Sequence, residues 1–220
     1  RGGAPAQELD GRRWMSLATG RVSRRDDVRL RVKRHPGCRF CLLARRHDLF
    51  AGGQSPVLTR ELINRGDAVV VLPYDPVRDE IVLIEQFRIG AGDDETGPWL
   101  IEAIAGYKEP GESAEDVVHR EALEEAGCLL SELELMHQCY SSPGGSNEQL
   151  QIFLARTDSS DINGVHGLDE EGEDIKVHVI SSQQAFDWLD SGYIDSAMPI
   201  IALQWFRIHR ERILKEWLIS

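Results

Sequence analysis

Cysteine is scarce, with four in 220 residues. A chain this long with so few is not a disulfide framework, and a reducing, cytoplasmic setting is the expectation. Cys38 and Cys41 have C-x-x-C spacing, but no second Cys/His pair follows to complete a zinc site, so they read as strand residues. No apolar run approaches the ~18 residues of a membrane-spanning helix. The first residues, Arg1-Gly2-Gly3, lack the charged-then-apolar-then-small order of a secretory leader. Aromatics make up only 7%, yet 41% hydrophobic and 28% charged residues lie in the globular range and exclude wholesale disorder.

Basic residues are scarce in the body of the chain. Residues 61–220 hold 11 Lys/Arg against 32 Asp/Glu, a net charge of -21, whereas residues 1–60 hold 14 against 5, a net of +9. An acidic body repels a phosphate backbone, so nucleic acid is not the expected partner. The basic residues of the N-terminal region alternate with Val28, Leu30 and Val32, the pattern of a half-exposed strand rather than a nucleic-acid arm.

Residues 1–20, rich in Gly, Ala and Arg, are expected to be poorly ordered. Strand-like stretches occupy 27–50, broken at Pro36-Gly37, and extended character resumes over 57–63. Ala68–Leu72 is a buried-strand run that Pro73-Tyr74-Asp75-Pro76 is expected to close as a turn, and Glu80–Phe87 completes a hairpin. Trp99–Ala105 reads as one further strand. Leu133–Cys139, Leu150–Ala155 and Val177–Ile180 are strand-like, and Ser182–Leu189 and Ser196–Lys215 helical. Ser113–Ala126 is predicted to be a helix, with Ser113 as N-cap, Asp116 in capping-box position, Gly127 as the stop, and Val117, Ala122 and Leu123 as its core face.

That helix carries an unfavourable charge pattern. Glu121 and Glu125 lie one turn apart with Glu124 beside them, near the helix C-terminus, where negative charge is disfavoured. Like-charged neighbours cost roughly a few tenths of a kcal/mol per pair. A divalent cation would reverse the sign, and an all-oxygen donor set suits Mg²⁺ or Mn²⁺. A solvated acidic face is the plain alternative.

The whole segment, GYKEPGESAEDVVHREALEEAGC over 106–128, resembles the Nudix hydrolase signature G-x5-E-x7-R-E-U-x-E-E-x-G-U. All seven fixed letters match; Ala122 and Cys128 stand where larger aliphatics are usual. The resemblance implies an α/β fold, the Nudix α/β/α sandwich with a mixed sheet, over 64–220. A small antiparallel β region at 21–63 would exchange between subunits of a homodimer. It implies Glu121 and Glu125 as metal ligands, Glu124, Glu112 and the Ala105 carbonyl as further contributors, and Arg120 as the ion-pair partner that orients the glutamates. Pro143, sixteen residues beyond Gly127 in Ser142-Pro143-Gly144-Gly145, resembles the ADP-ribose pyrophosphatase branch, as do the stretches 72–88, 98–106, 166–179 and 202–205.

That branch implies Mg²⁺-dependent cleavage of ADP-ribose to AMP and ribose 5-phosphate, with attack at the adenosyl-side phosphorus. Alignment on Asp174-Ile175 puts the general base at Glu171, with Glu170 the neighbour one register away, and a further metal contact at Glu173. Arg88 and the Pro143-Gly144 loop match substrate-binding positions, and Arg60 and Glu61 match an adenine site. His166 and His178 read as structural. Two alternatives stay open: another nucleotide sugar such as ADP-glucose, or a dinucleotide; and a nucleotide-sensing module that has lost catalysis.

Overall fold

The computed structural model describes residues 31–35, 38–109, 111–168 and 172–218. The expectations for residues 1–20 and for the Pro36-Gly37 break lie outside them. Contacts divide the chain between Ile63 and Asn64. The N-terminal unit is a three-stranded antiparallel sheet of β1 (Arg31–His35), β2 (Cys38–Arg45) and β3 (Leu58–Ile63), in that order. Phe40 and Leu42, two apart and so on one face of β2, are both exposed.

The second unit is built on a mixed sheet. Its strands are β4 (Asp67–Asp75), β5 (Glu80–Phe87), β6 (Trp99–Glu102), β7 (Ile104–Tyr107), β8 (Leu130–Tyr140), β9 (Gln149–Thr157), β10 (Val165–His166) and β11 (Ile175–Ser181). The main path runs β10-β11-β5-β4-β9-β8. Among the described residues only β4 and β9 pair in parallel; the remaining pairings are antiparallel. β4 is central and buried from Ala68 to Asp75, which is why it reads as a continuous apolar run.

Its alternate residues feed two cores. Val70, Leu72 and Tyr74 pack with Ala202, Leu203 and Phe206 of helix α3 (Ala197–Trp217) and Ala185 of α2 (Ser182–Asp190). Val69 and Val71 pack on the other face with Val117, Val118, Ala122 and Ala126 of α1 (Ala114–Ala126). This is the expected α/β/α sandwich, with each fully buried aliphatic side chain contributing roughly 1.5–3 kcal/mol.

The α1 termini form as the sequence predicts. Ser113 accepts from the Asp116 N–H while the Asp116 carboxylate accepts from the Ser113 N–H, and Gly127 closes the helix at φ 63°. Leu123 differs. It is 55% exposed, and the core face is carried by Val117, Val118, Ala122 and Ala126.

Two strand expectations are also corrected. β4 does not stop at Leu72 but runs through Pro73 to Asp75. A proline lacks the N–H that a ladder needs. Pro73 sits where the partner on one edge changes, from β7, registered as far as Val71, to β5, registered from Tyr74. The stretch 99–105 is two strands, not one. β4 and β5 pair directly only at Tyr74–Ile81 and Asp75–Glu80 and then diverge. β6 fills the β5 side, β7 fills the β4 side, and Ala103, fully buried, marks the crossing between them. The divergence opens the sheet at the end where β4 begins and β5 finishes.

Asp75 pins the closed end of that hairpin. Only 1% exposed, it accepts from the Val77, Arg78 and Ser159 N–H groups at 2.8, 3.1 and 3.0 Å and from the Arg78 guanidinium at 2.8 Å. Burial raises its pKa, but these hydrogen bonds outweigh burial and bring it down to about 2. A carboxyl depressed below its unfolded value of 3.8 stabilises the fold above that value and loses the contribution as pH falls toward 2. The expected contribution near neutrality is about 2 kcal/mol. Urea unfolding of wild type at pH 6 and pH 3 should show roughly half of that loss on top of other acid effects, and Asp75→Asn should be less stable at pH 6 with a shallower pH slope. An unchanged slope in the variant would remove Asp75 from the acid response.

Candidate active site

At the opened end of the sheet lies a cleft of about 890 Å³. Its wall is formed by the end of β5 and the following turn (Phe87, Arg88, Ile89), by β6 (Leu100, Glu102), by β7 and its continuation (Ala105 to Glu109), and by Arg120, Glu121 and Glu125 of α1. Glu173 and, from α3, Met198 also line it.

Glu125 is buried, 3% exposed, and its Oε2 accepts from the Ala105 N–H at 3.1 Å. Burial raises its pKa first; the Ala105 bond and Arg88 pull it down, Glu121 and Glu173 push it up, and the result is about 8. Glu121 is also raised, by burial first and then by Glu124 and Glu173, against the opposing pull of Arg120. Glu121 lies against the β7 backbone. A Cβ at Gly106 would stand 1.6 Å from Glu121 Oε1, so only glycine lets the strand and the carboxylate approach this closely.

Arg120 gathers the other acids. Its Nε donates to Glu112 Oε1 at 2.9 Å, and its Nη1 donates to Glu121 Oε1 at 2.6 Å and to Glu124 Oε2 at 3.1 Å. Its Nη2 reaches the Tyr107 carbonyl at 3.3 Å. These bonds raise the guanidinium pKa, with Glu112 the largest cause, and Arg120 in turn holds Glu112 below its ordinary value. Glu112 and Glu124 thus face Arg120 and do not line the cleft.

The remaining sequence-predicted residues are spread more widely. Glu173 lines the cleft, and its Oε2 accepts from the Leu168 N–H at 3.2 Å. Glu171, like Glu170, lies outside the described residues. Arg88 lines the cleft, its Nε donating to Glu102 Oε2 at 2.6 Å. Pro143 and Gly144 occupy an exposed turn after β8, where the Gly145 and Ser146 N–H groups both donate to the Ser142 carbonyl, and they do not line the cleft. Arg60 and Glu61 are exposed on β3 of the N-terminal unit, opposite Leu43 and Leu42. His166 Nε2 donates to the Asn163 carbonyl at 2.8 Å, and His178 pairs with Glu85 at 2.8 Å and meets the Trp188 ring edge-on; neither lines the cleft.

The sequence reading missed Glu102. It is 3% exposed on β6 and is surrounded by donors: Arg88, Gln86 Nε2 at 3.2 Å and Ser196 Oγ at 3.1 Å. The signal was present, because an acid inside the apolar run Trp99–Ala105 is costly to bury without partners. It also missed the Tyr107–Glu148–Arg65 group on the cleft lip. There the Tyr107 hydroxyl donates to Glu148 at 3.0 Å and the Arg65 guanidinium lies 5.4 Å from the ring centre.

A buried and two half-buried carboxylates in mutual repulsion, with hard oxygen donors and an open front, fit a divalent cation that keeps part of its water. Among the described residues no three His, Cys, Asp or Glu side chains form a closed metal cage. Mg²⁺ does not need one, since one or two carboxylates with water and substrate phosphate suffice.

Residues 64–197 match the NUDIX domain, and the chain belongs to that family of hydrolases. It is 48% identical over 172 residues to the ADP-ribose pyrophosphatase of Escherichia coli strain K12, covering 78% of this chain and 82% of that protein. It is 45% identical over 175 residues to the ADP-ribose pyrophosphatase of Haemophilus influenzae, covering 78% and 81%. The GDP-mannose pyrophosphatase of Enterobacter sp. strain 638 is 33% identical over 151 residues, covering 68% and 78%. A crystal structure of an ADP compounds hydrolase superposes with a TM-score of 0.64 at 21% identity, covering 92% of this chain and 98% of that one, which supports the fold. Among the described residues no helix is long and apolar enough to cross a membrane.

Proposed function

We propose that this chain hydrolyses the diphosphate of ADP-ribose to AMP and ribose 5-phosphate, using Mg²⁺, in the cytoplasm. The observation that carries the reading is the half-buried Glu121 and the buried Glu125 lining one cleft with Arg88. The 48% identity to an ADP-ribose pyrophosphatase directs it to this substrate rather than another nucleotide sugar.

Glu121 and Glu125, with Glu173 and the Ala105 carbonyl, would hold the cation, and Glu112 and Glu124 act through Arg120. The bound cation supplies charge neutralisation at the diphosphate and activation of water. Arg88, whose Nε is fixed by Glu102, keeps further N–H groups for the diphosphate oxygens. Glu171 takes the proton of the attacking water. Arg60, Glu61, Pro143 and Gly144 are assigned to the nucleoside and ribose ends, contributed within a homodimer. The test is AMP or GMP release from a panel of ADP-ribose, ADP-glucose, GDP-mannose and a dinucleoside diphosphate, with Mg²⁺ and with Mn²⁺. The highest kcat/KM is expected for ADP-ribose; a preference of tenfold or more for another member would reassign the substrate.

The dimer carries its own prediction. Three short strands are marginal alone, and the N-terminal unit exposes Phe40 and Leu42 on β2 and Phe50 and Val57 in the loop before β3. Residues 1–50 removed, the protein is expected to sediment as a monomer or aggregate and to bind substrate with a strongly raised KM, whereas the full chain sediments as a dimer. A full-length monomer with normal kinetics would refute the shared site.

A further inference from the structure

Glu173 lines the cleft, and it is closed on Leu168 by two hydrogen bonds. The Glu173 N–H donates to the Leu168 carbonyl at 3.2 Å, and the Leu168 N–H donates to the Glu173 carboxylate at 3.2 Å. Directly before Leu168 stands Gly167, whose N–H donates to the Glu124 carbonyl near the end of α1 at 3.3 Å. Gly167 adopts φ 107°, and a Cβ built on it would stand 2.7 Å from the Cβ of Glu173 and 3.3 Å from its carbonyl group. Carbon atoms do not approach to that distance, and the obstacle is the root of the Glu173 side chain and its backbone rather than a flexible tip. Gly164, three residues earlier, has nearly the same backbone at φ 100°, but a Cβ there would meet nothing nearer than His166 Nε2 at 3.8 Å.

We infer that Gly167 is a positioning residue: by lacking a side chain, it lets Glu173 seat against the end of the α1 helix and present its carboxylate beside Glu121 and Glu125. The inference rests on the proposed role of Glu173 at the cation site. Gly167 lies outside the signature segment 106–128 and contributes no side chain to the cleft; it acts through Glu173 alone. A side chain at 167 displaces the acid while leaving every carboxylate in the chain. Displacements of about 1 Å at such a site cost up to ~10²-fold in rate.

The experiment compares Gly167→Ala, Gly164→Ala, Glu173→Ala and the double variant Gly167→Ala/Glu173→Ala. For each, Mn²⁺ binding is measured by electron paramagnetic resonance, the Mg²⁺ concentration for half-maximal rate by kinetics, and the metal-free Tm by thermal unfolding. Gly164→Ala and Gly167→Ala both carry the strain of a positive φ and both should lose Tm. Only Gly167→Ala should weaken Mn²⁺ binding and raise the half-saturating Mg²⁺ concentration, by about 10-fold or more. On the Glu173→Ala background, Gly167→Ala should add no further loss of metal binding. Metal binding by Gly167→Ala equal to that of Gly164→Ala, or full additivity with Glu173→Ala, overturns the positioning role. Normal Mn²⁺ binding by Glu173→Ala itself would instead overturn the assignment of Glu173 to the cation. If Gly167→Ala proves too unstable to titrate, Tm decides: Gly167→Ala/Glu173→Gly, which removes the opposing Cβ, should be more stable than the two single losses added together, and strict additivity refutes the contact.

Discussion

Glu125→Gln is expected to lower kcat by about 10³-fold or more while the metal-free protein keeps or slightly raises its Tm. The two effects have one origin. In the metal-free fold Glu125 is 3% exposed, receives one N–H from Ala105, and faces the charges of Glu121 and Glu173. A neutral glutamine fits the same space, and its carbonyl oxygen accepts the same N–H, so desolvation and repulsion are relieved with little lost in packing. The loaded enzyme loses a charged oxygen donor at the cation, where several kcal/mol of transition-state charge stabilisation are at stake, and each 1.36 kcal/mol is about tenfold in rate. Steady-state kinetics over a Mg²⁺ titration together with calorimetry of the chelated protein checks both halves. Near-normal kcat at saturating Mg²⁺ would remove Glu125 from the cation site, and a collapse of Tm would recast it as a structural acid.

Glu171→Gln is expected to lower kcat by about 10²–10⁴-fold, the typical contribution of a positioned general base, with KM nearly unchanged. The expectation comes from the register of the acidic run 169–174. The nearest described acid of that run, Glu173, lines the cleft with Glu121 and Glu125. The pH–rate profile separates a base from a cation ligand: loss of a base flattens the acidic limb, whereas loss of a ligand raises the metal requirement. If Glu170→Gln is the crippled variant and Glu171→Gln is not, the register is wrong by one.

The fold was legible where local chemistry decides. Ser113, Asp116 and Gly127 fix both ends of α1 through contacts within a few residues, and the apolar run of β4 announces a central strand. It was illegible where tertiary pairing decides. Nothing local at Ala103 says that 99–107 must serve two strands in turn, and Pro73 is tolerated in β4 only because its partner changes there. Leu123 is expected in the core, but Val117, Val118, Ala122 and Ala126 carry the buried face and Leu123 falls outside it.

The site divides the same way. The spacing of Arg120, Glu121, Glu124 and Glu125 within one helix fixes which acids share the guanidinium and which turns to the cleft. Glu102, Tyr107 and Glu148 join the cleft through strand pairing and a contact 41 residues apart in sequence, which periodicity does not reveal. Gly167 carries no chemistry of its own; its importance lies in the space it leaves for Glu173.

The central claim is that a divalent cation held by the acids of α1 serves hydrolysis of ADP-ribose. Its most direct measurement is product analysis of ADP-ribose turnover by the full chain with Mg²⁺, after chelation, and after Mg²⁺ is restored. The account predicts AMP and ribose 5-phosphate in equal amounts, loss of both on chelation, and recovery on restoring the metal. Turnover that survives chelation, or intact ADP-ribose under every metal condition, would contradict it.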